Sequence, residues 1–274
     1  RYPGYPLHEL VSAPLAGLGG AAASNGATLV VALLLIVVWN RMALREAHHP
    51  ALLVLTLALT PLFLRNSATT MDYVWSMLFV LLALDRALCG RALVAGALMG
   101  VAAGFRLSNL VALVPVGVAL LGQTPGCPVD HRFLRPARDH MSIPSRAVLQ
   151  SALGIGAALA VTIVCYSPVL LTVGLERWYA ETAAQLASVR EHNELGLHMF
   201  LYRGVYAFGP LAVAAAALLP GVKWREPGRH LREAGPVFRS AVAAHAAYGL
   251  LFLSLPLERE YLLPLLPFSL LLMD

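Results

Sequence analysis

Four short stretches carry ionisable side chains at the edges of apolar runs, and these residues have the types and spacing to do chemistry. RNSATTMDYVW sets Asp72 just before an apolar helix, where a carboxylate can orient a hydroxyl or assist removal of its proton. GFRLSN sets Arg106 in a break between two apolar segments, where a guanidinium and free backbone donors would meet a phosphate at one point. PLEREYLLPLLP holds Glu258, Arg259, Glu260 and Tyr261 ahead of Pro264 and Pro267, a second cation with a phenol beside it. Two arginines suit a diphosphate or phosphate ester better than one. RYPGYPLHEL brings Tyr2, Tyr5 and His8 behind a Pro-Gly turn. Plainer accounts stay open for each: a carboxylate meeting a helix dipole, a snorkelling arginine, a charged turn and a bare turn. Together the functional readings supply a base for an acceptor proton and cations for a leaving oxyanion.

The elements that must position these residues are set by composition. Of 274 residues, 58% are hydrophobic and 13% charged, with mean hydropathy +0.70, which is too apolar for a surface that faces water. The expected class is all-α, a polytopic integral membrane protein. Its apolar segments fall at 24–39, 51–64, 73–84, 92–104, 109–121, 147–173, 199–219, 236–255 and 261–274, about nine transmembrane helices against a requirement of about 20 residues per span. They recur along the whole length, so none reads as a signal peptide. The net charge of +5 does not point to nucleic acid, because the arginines sit in short loops between apolar runs, where they set topology.

Loop charge also decides the ambiguous stretch 91–123. If it is one helix, Arg132, Arg135, Arg138 and Arg146 fall opposite Arg41, Arg45, Arg86 and Arg91. If it breaks at Phe105-Arg106-Leu107-Ser108, all of them share a face with Lys223, Arg225, Arg229 and Arg232. The positive-inside rule favours the break and makes that face cytoplasmic. The opening residues, 65–72, Arg106, 175–195 and 258–260 then lie outside.

Two outer stretches read as helices lying at the membrane surface. In PLHELVSAPLAGL, Leu7, Leu10, Val11, Leu15 and Leu18 oppose His8, Glu9 and Ser12, with Pro6 starting the helix and Pro14 expected to kink it. In LERWYAETAAQLASVREHNELG, Leu175, Trp178, Tyr179, Leu186 and Val189 oppose Glu181, Gln185, Ser188 and His192. An ordinary solvated loop helix is the alternative for both. The whole of 1–274 reads as a single membrane-embedded domain truncated at both ends. It has an outer loop and juxtamembrane helix at 1–20, a cytoplasmic loop at 122–146 and an outer interfacial segment at 174–197.

Cys89, Cys127 and Cys165 are scattered and odd in number, so no disulfide framework is expected. His48, His49, His131 and His140 lack ligand spacing, and His192 with His198 is loose; no metal and no cofactor are expected. Neither a Walker, a GxGxxG nor a GxSxG pattern is present.

In their order, RYPGYPLHEL, SATTMDY, ALVAGALMGVAAGFRLSNLVALVP and EREYLLPLLP resemble the bacterial GT-C class of glycosyltransferases, close to the protein O-mannosyltransferase and lipid A aminoarabinose transferase families. The similarity covers most of the chain. It implies a bacterial inner-membrane enzyme with its active face extracytoplasmic, passing a sugar from a polyprenyl-phosphate carrier to a protein hydroxyl, a lipid or a cell-wall glycan. The carrier and membrane lipids are the partners so implied. The usual catalytic acid of such enzymes lies upstream of the Pro-Gly-Tyr-Pro element, outside these residues. By the same resemblance Asp72 corresponds to a second acidic position, taken as catalytic. Arg106 and Arg259 correspond to basic positions near the carrier phosphate, with Tyr261, Glu258, His8 and Tyr5 beside them. The competing expectations are a polytopic transporter or lipid flippase, whose translocation path the same charges would line, and a non-catalytic membrane scaffold.

Overall fold

A computed structural model describes residues 5–122, 143–191, 235–254 and 262–273. Among them every regular element is helical: α1 (Pro6–Glu46), α2 (Pro50–Leu59), α3 (Pro61–Ser67), α4 (Asp72–Leu88), α5 (Ala92–Phe105), a 3-10 helix (Leu107–Ala112), α6 (Leu113–Gly122), α7 (Ile143–Val173), α8 (Leu175–Glu191), α9 (Pro236–Ser254) and α10 (Leu265–Met273). Two helices are long and apolar enough to cross a membrane, α1 and the Val148–Val173 part of α7, or three if the bent α2–α3 pair is one span. α5 and the Leu107–Gly122 stretch are shorter apolar helices. Nine full spans are therefore more than the described residues display, and the segment expected at 199–219 lies outside them.

Two expectations change at helix breaks, and a third holds. Pro14 does not kink α1: it stays inside the helix on an exposed turn, where water or headgroups can satisfy the carbonyl that its missing N–H leaves open. The kink comes at Gly19 and Gly20, and Gly20 takes φ +60° and ψ −146°, a conformation that only glycine adopts cheaply. The run 51–64 is not one straight segment. Thr60 goes extended ahead of Pro61, as steric conflict with a proline ring demands, and α2 and α3 meet at 64°. The break expected at 105–108 falls at Arg106, whose backbone is extended (φ −157°, ψ 110°), and the chain resumes as a 3-10 turn before α6.

α4 sits in the centre. Its Val74, Met77, Leu81 and Leu84 are buried, as are Leu35, Trp39 and Met42 of α1, and the two helices pack together. α5 lies between α4 and α7 and touches α7 through glycines at every fourth position. A Cβ on Gly96 would strike the Gly154 carbonyl; one on Gly100 would lie 2.5 Å from the Val161 Cβ; one on Gly104 would lie 2.7 Å from the Leu7 Cδ1. Lipid tails are as apolar as leucine, so burial from water cannot hold two such helices together. Close backbone approach and dispersion must do so, and small residues at that spacing permit them. α9 closes the other flank against α6 and α10, with the Tyr248 hydroxyl donating to Asn109 Oδ1 at 3.0 Å.

α8 follows Gly174, whose positive φ of 84° turns the chain out of α7. Leu175 and Tyr179 are exposed, while Trp178 packs edge-on against Tyr166 at 6.0 Å. The helix expected over 174–197 is thus present through Glu191, with Leu175 and Tyr179 of its apolar side uncovered by protein.

Candidate functional site

Asp72 opens α4, where the helix dipole favours a carboxylate. Phe105, the last residue of α5, stacks on Trp75 at 5.6 Å and on Phe79 at 5.5 Å, which fixes the end of α5 against the first turns of α4. The extended Arg106 then sends its guanidinium to Asp72, with Nη1 donating to Oδ2 at 3.1 Å. Both residues are about 5% exposed. The guanidinium lies 3.8 Å from the Tyr73 ring centre on one side and 5.2 Å from the Tyr5 ring on another. Aromatic faces attract such a cation most where water is excluded.

The first turns of α1 cover this group. Leu7 fits the notch at Gly104, beside Cys165 of α7. His8 lies ahead of the kink, before the charge-free run of α1 that is long enough to span. Its partial burial pulls its pKa down from the ordinary value, while the nearby carboxylates of Asp72 and Glu9 pull the other way. Beyond the kink, a polar ladder fastens α1 to α4. Trp75 Nε1 donates to Thr28 Oγ1 at 3.1 Å, Thr28 donates to the Ser24 carbonyl at 3.1 Å, and Thr70 donates to Asn25 Oδ1.

Four of the seven sequence-derived site residues, Asp72, Arg106, Tyr5 and His8, therefore gather at one place. Asp72 and Arg106 neutralise each other rather than standing as separate base and cation. Glu258, Arg259 and Tyr261 lie outside the described residues. Among the described residues there is no group of three or more His, Cys, Asp or Glu side chains that could hold a metal ion. The arrangement can hold one phosphate-sized anion only if that anion displaces Asp72 from part of the guanidinium or approaches its remaining edge after the Tyr5 arm moves.

Several residues of chemical interest escaped the sequence reading. The signal that could have found Tyr73 is its place next to Asp72 in SATTMDY, and the four-residue glycine spacing of ALVAGALMGVAAGF could have marked a packing face. His245 was not: its Nε2 lies 2.8 Å from the Ser269 hydroxyl and its Nδ1 2.7 Å from the Ala241 carbonyl, a link between α9 and α10 that no spacing announces. Cys165, in α7, is free. At the far end of α4, Asp85 accepts from Arg45 and, at 3.2 Å, pairs with Arg86. Neither a family model, nor a curated protein, nor a solved structure matches this chain.

Proposed function

We propose that the chain is the membrane-embedded part of a GT-C-like glycosyltransferase, moving a sugar from a polyprenyl-phosphate carrier to an acceptor on the extracytoplasmic face of a bacterial inner membrane. The observation that carries this reading is Arg106: an arginine at a helix break, joined by Asp72, Tyr5 and Tyr73 from segments far apart in sequence. In this reading the multi-pass architecture is the nine-helix one expected from the apolar segments, with the arginine-rich loops cytoplasmic. Arg106 stabilises the phosphate oxyanion released from the sugar. Asp72 holds the guanidinium in register and gives up part of it when the phosphate arrives. Charge stabilisation of this kind works best where water is excluded, as it is beneath Tyr5.

Transfer from a polyprenyl-phosphate sugar by the full protein in bilayers tests the reading. Arg106→Gln is expected to lower turnover by about 100-fold or more, the scale of losing one oxyanion donor. Because that variant strands Asp72, the double variant D72N/R106Q separates folding from chemistry: it should fold and stay inactive. Undiminished turnover in the double variant would sink the proposal.

A second reading, a transporter or lipid flippase, draws on the 64° break between α2 and α3, a further interrupted helix of the kind that lines translocation paths. Sugar-loaded vesicles discriminate the two. Movement of labelled carrier between leaflets without sugar release favours the transporter.

A further inference from the structure

We infer that the α1–α2 face ending at Arg41 and Arg45 binds an anionic glycerophospholipid, with its acyl chains along the two helices and its phosphate at Arg41. Beyond the kink, Leu29, Val30, Leu33, Leu34 and Val37 of α1 are all at least half exposed, while Ala32, Leu35 and Trp39 on the opposite side are buried. On α2, Leu52, Leu55 and Leu59 are likewise exposed along one side. Trp39 Nε1, donating to the Leu53 carbonyl at 3.4 Å, ties the two helices together, so the exposed sides belong to one pair.

Length matches this face to one leaflet. Leu29 to Val37 spans about 12 Å at 1.5 Å per residue, and Leu29 to Arg41 about 18 Å, against about 15 Å for half of a hydrocarbon core. The apolar stripe therefore runs out where a headgroup begins. Arg41 follows Leu33 and Val37 at four-residue steps on the same side of α1, is exposed, and makes no ion pair with a described residue. One turn on, Arg45 is held by Asp85, which fixes its guanidinium at the same level. The N-terminus of α2, with His48 and His49 before it, opens at this end as well and favours negative charge.

Charge decides the lipid class. Four arginines (Arg41, Arg45, Arg86, Arg91) face two carboxylates (Glu46, Asp85) among the described residues of this end. A zwitterionic headgroup would bring its own cation into that excess, whereas a phosphatidylglycerol-like headgroup brings only the anion. This inference is independent of the glycosyltransferase reading, since it concerns the opposite end of α4.

Spin-labelled lipid in phosphatidylcholine nanodiscs holding the full chain provides the test. The ratio of motionally restricted phosphatidylglycerol to restricted phosphatidylcholine should exceed one, and Arg41→Gln should lower it about fivefold, the weight of one basic residue at a membrane surface. Arg65→Gln, an exposed arginine on α3 away from this face, should leave the ratio unchanged. A wild-type ratio of one overturns the inference; a second copy of the chain covering the face would give that result, by excluding both lipids alike. It is equally overturned if R41Q leaves the ratio where it was, or if R65Q lowers it as much.

Discussion

Helix α4 carries a carboxylate at its first residue and another thirteen residues on, about 20 Å apart along the axis, and the two are handled differently. Asp72 meets one arginine, which arrives from an extended residue in a helix break and lies against two tyrosine rings. Asp85 meets two arginines, Arg45 from α1 and its own neighbour Arg86, whose side chains are about a third and a quarter exposed. At the Asp72 end the whole pair is sealed, so any ligand must trade places with a partner or move the Tyr5 arm. At the Asp85 end the carboxylate is buried but the cations reach the surface, where ions from outside the protein can meet them directly. Burial of the cation, more than the count of charges, separates a guarded group from an accessible one.

The largest effect that would break this comparison is on stability. Replacing Arg106 by Gln leaves the Asp72 carboxylate buried without its partner and should cost about 3–5 kcal/mol, whereas removing both charges in D72N/R106Q should recover much of that. Arg86→Gln should cost under about 1 kcal/mol, because its partner keeps Arg45 and the lost cation was partly in water. Unfolding of the reconstituted chain by added denaturing detergent measures all three. Equal losses for R106Q and R86Q would mean that the two ends are alike.

A second contrast lies along the α5 glycines. Gly96 faces the Gly154 carbonyl of α7, which is backbone and cannot yield; Gly104 faces the tip of Leu7 and the Cys165 side chain, which can turn aside in part. Gly96→Ala should therefore cost about 1–3 kcal/mol by forcing the helices apart, and Gly104→Ala less. The same unfolding assay ranks them, and a reversed order would show that the Leu7 contact is the rigid one.

How far the sequence carried the argument differs between these ends too. The break at Arg106 is readable because the positive-inside rule favours it, weighing loop arginines from distant parts of the chain together. Tyr5 and His8 were readable as a turn returning to the same level. Pairing of Arg106 with Asp72 was not, because each residue has its own local explanation and only the stacking of Phe105 on Trp75 and Phe79 brings them to 3.1 Å. Proline is the stronger breaker in isolation, so sequence alone puts the kink of α1 at Pro14. Gly20 prevails because Pro14 sits where its orphaned carbonyl can be solvated, while positive φ changes the direction of the chain outright. Thr60-Pro61 was visible in the sequence but lay within an unbroken apolar run, and apolar content alone says nothing of bend angle.

The smallest expected effect sharpens the account of the covering arm. In the fold His8 binds a proton less readily than in the unfolded chain, because burial outweighs the pull of Asp72 and Glu9. The unfolded chain therefore takes up the proton first as pH falls, and the His8 contribution to stability is complete above the ordinary histidine pKa, about 6.5, and declines below it. Loss of that contribution should loosen residues 6–18 before the rest of α1, since Gly20 is the joint between them. A thiol placed at Leu10, which is exposed, and spin-labelled there should report faster motion as pH falls from about 7 to about 5, and His8→Asn should flatten that dependence. If the label's motion changes equally in the His8→Asn variant, the proton acts on another group, and the arm is not held by the imidazole beside Asp72.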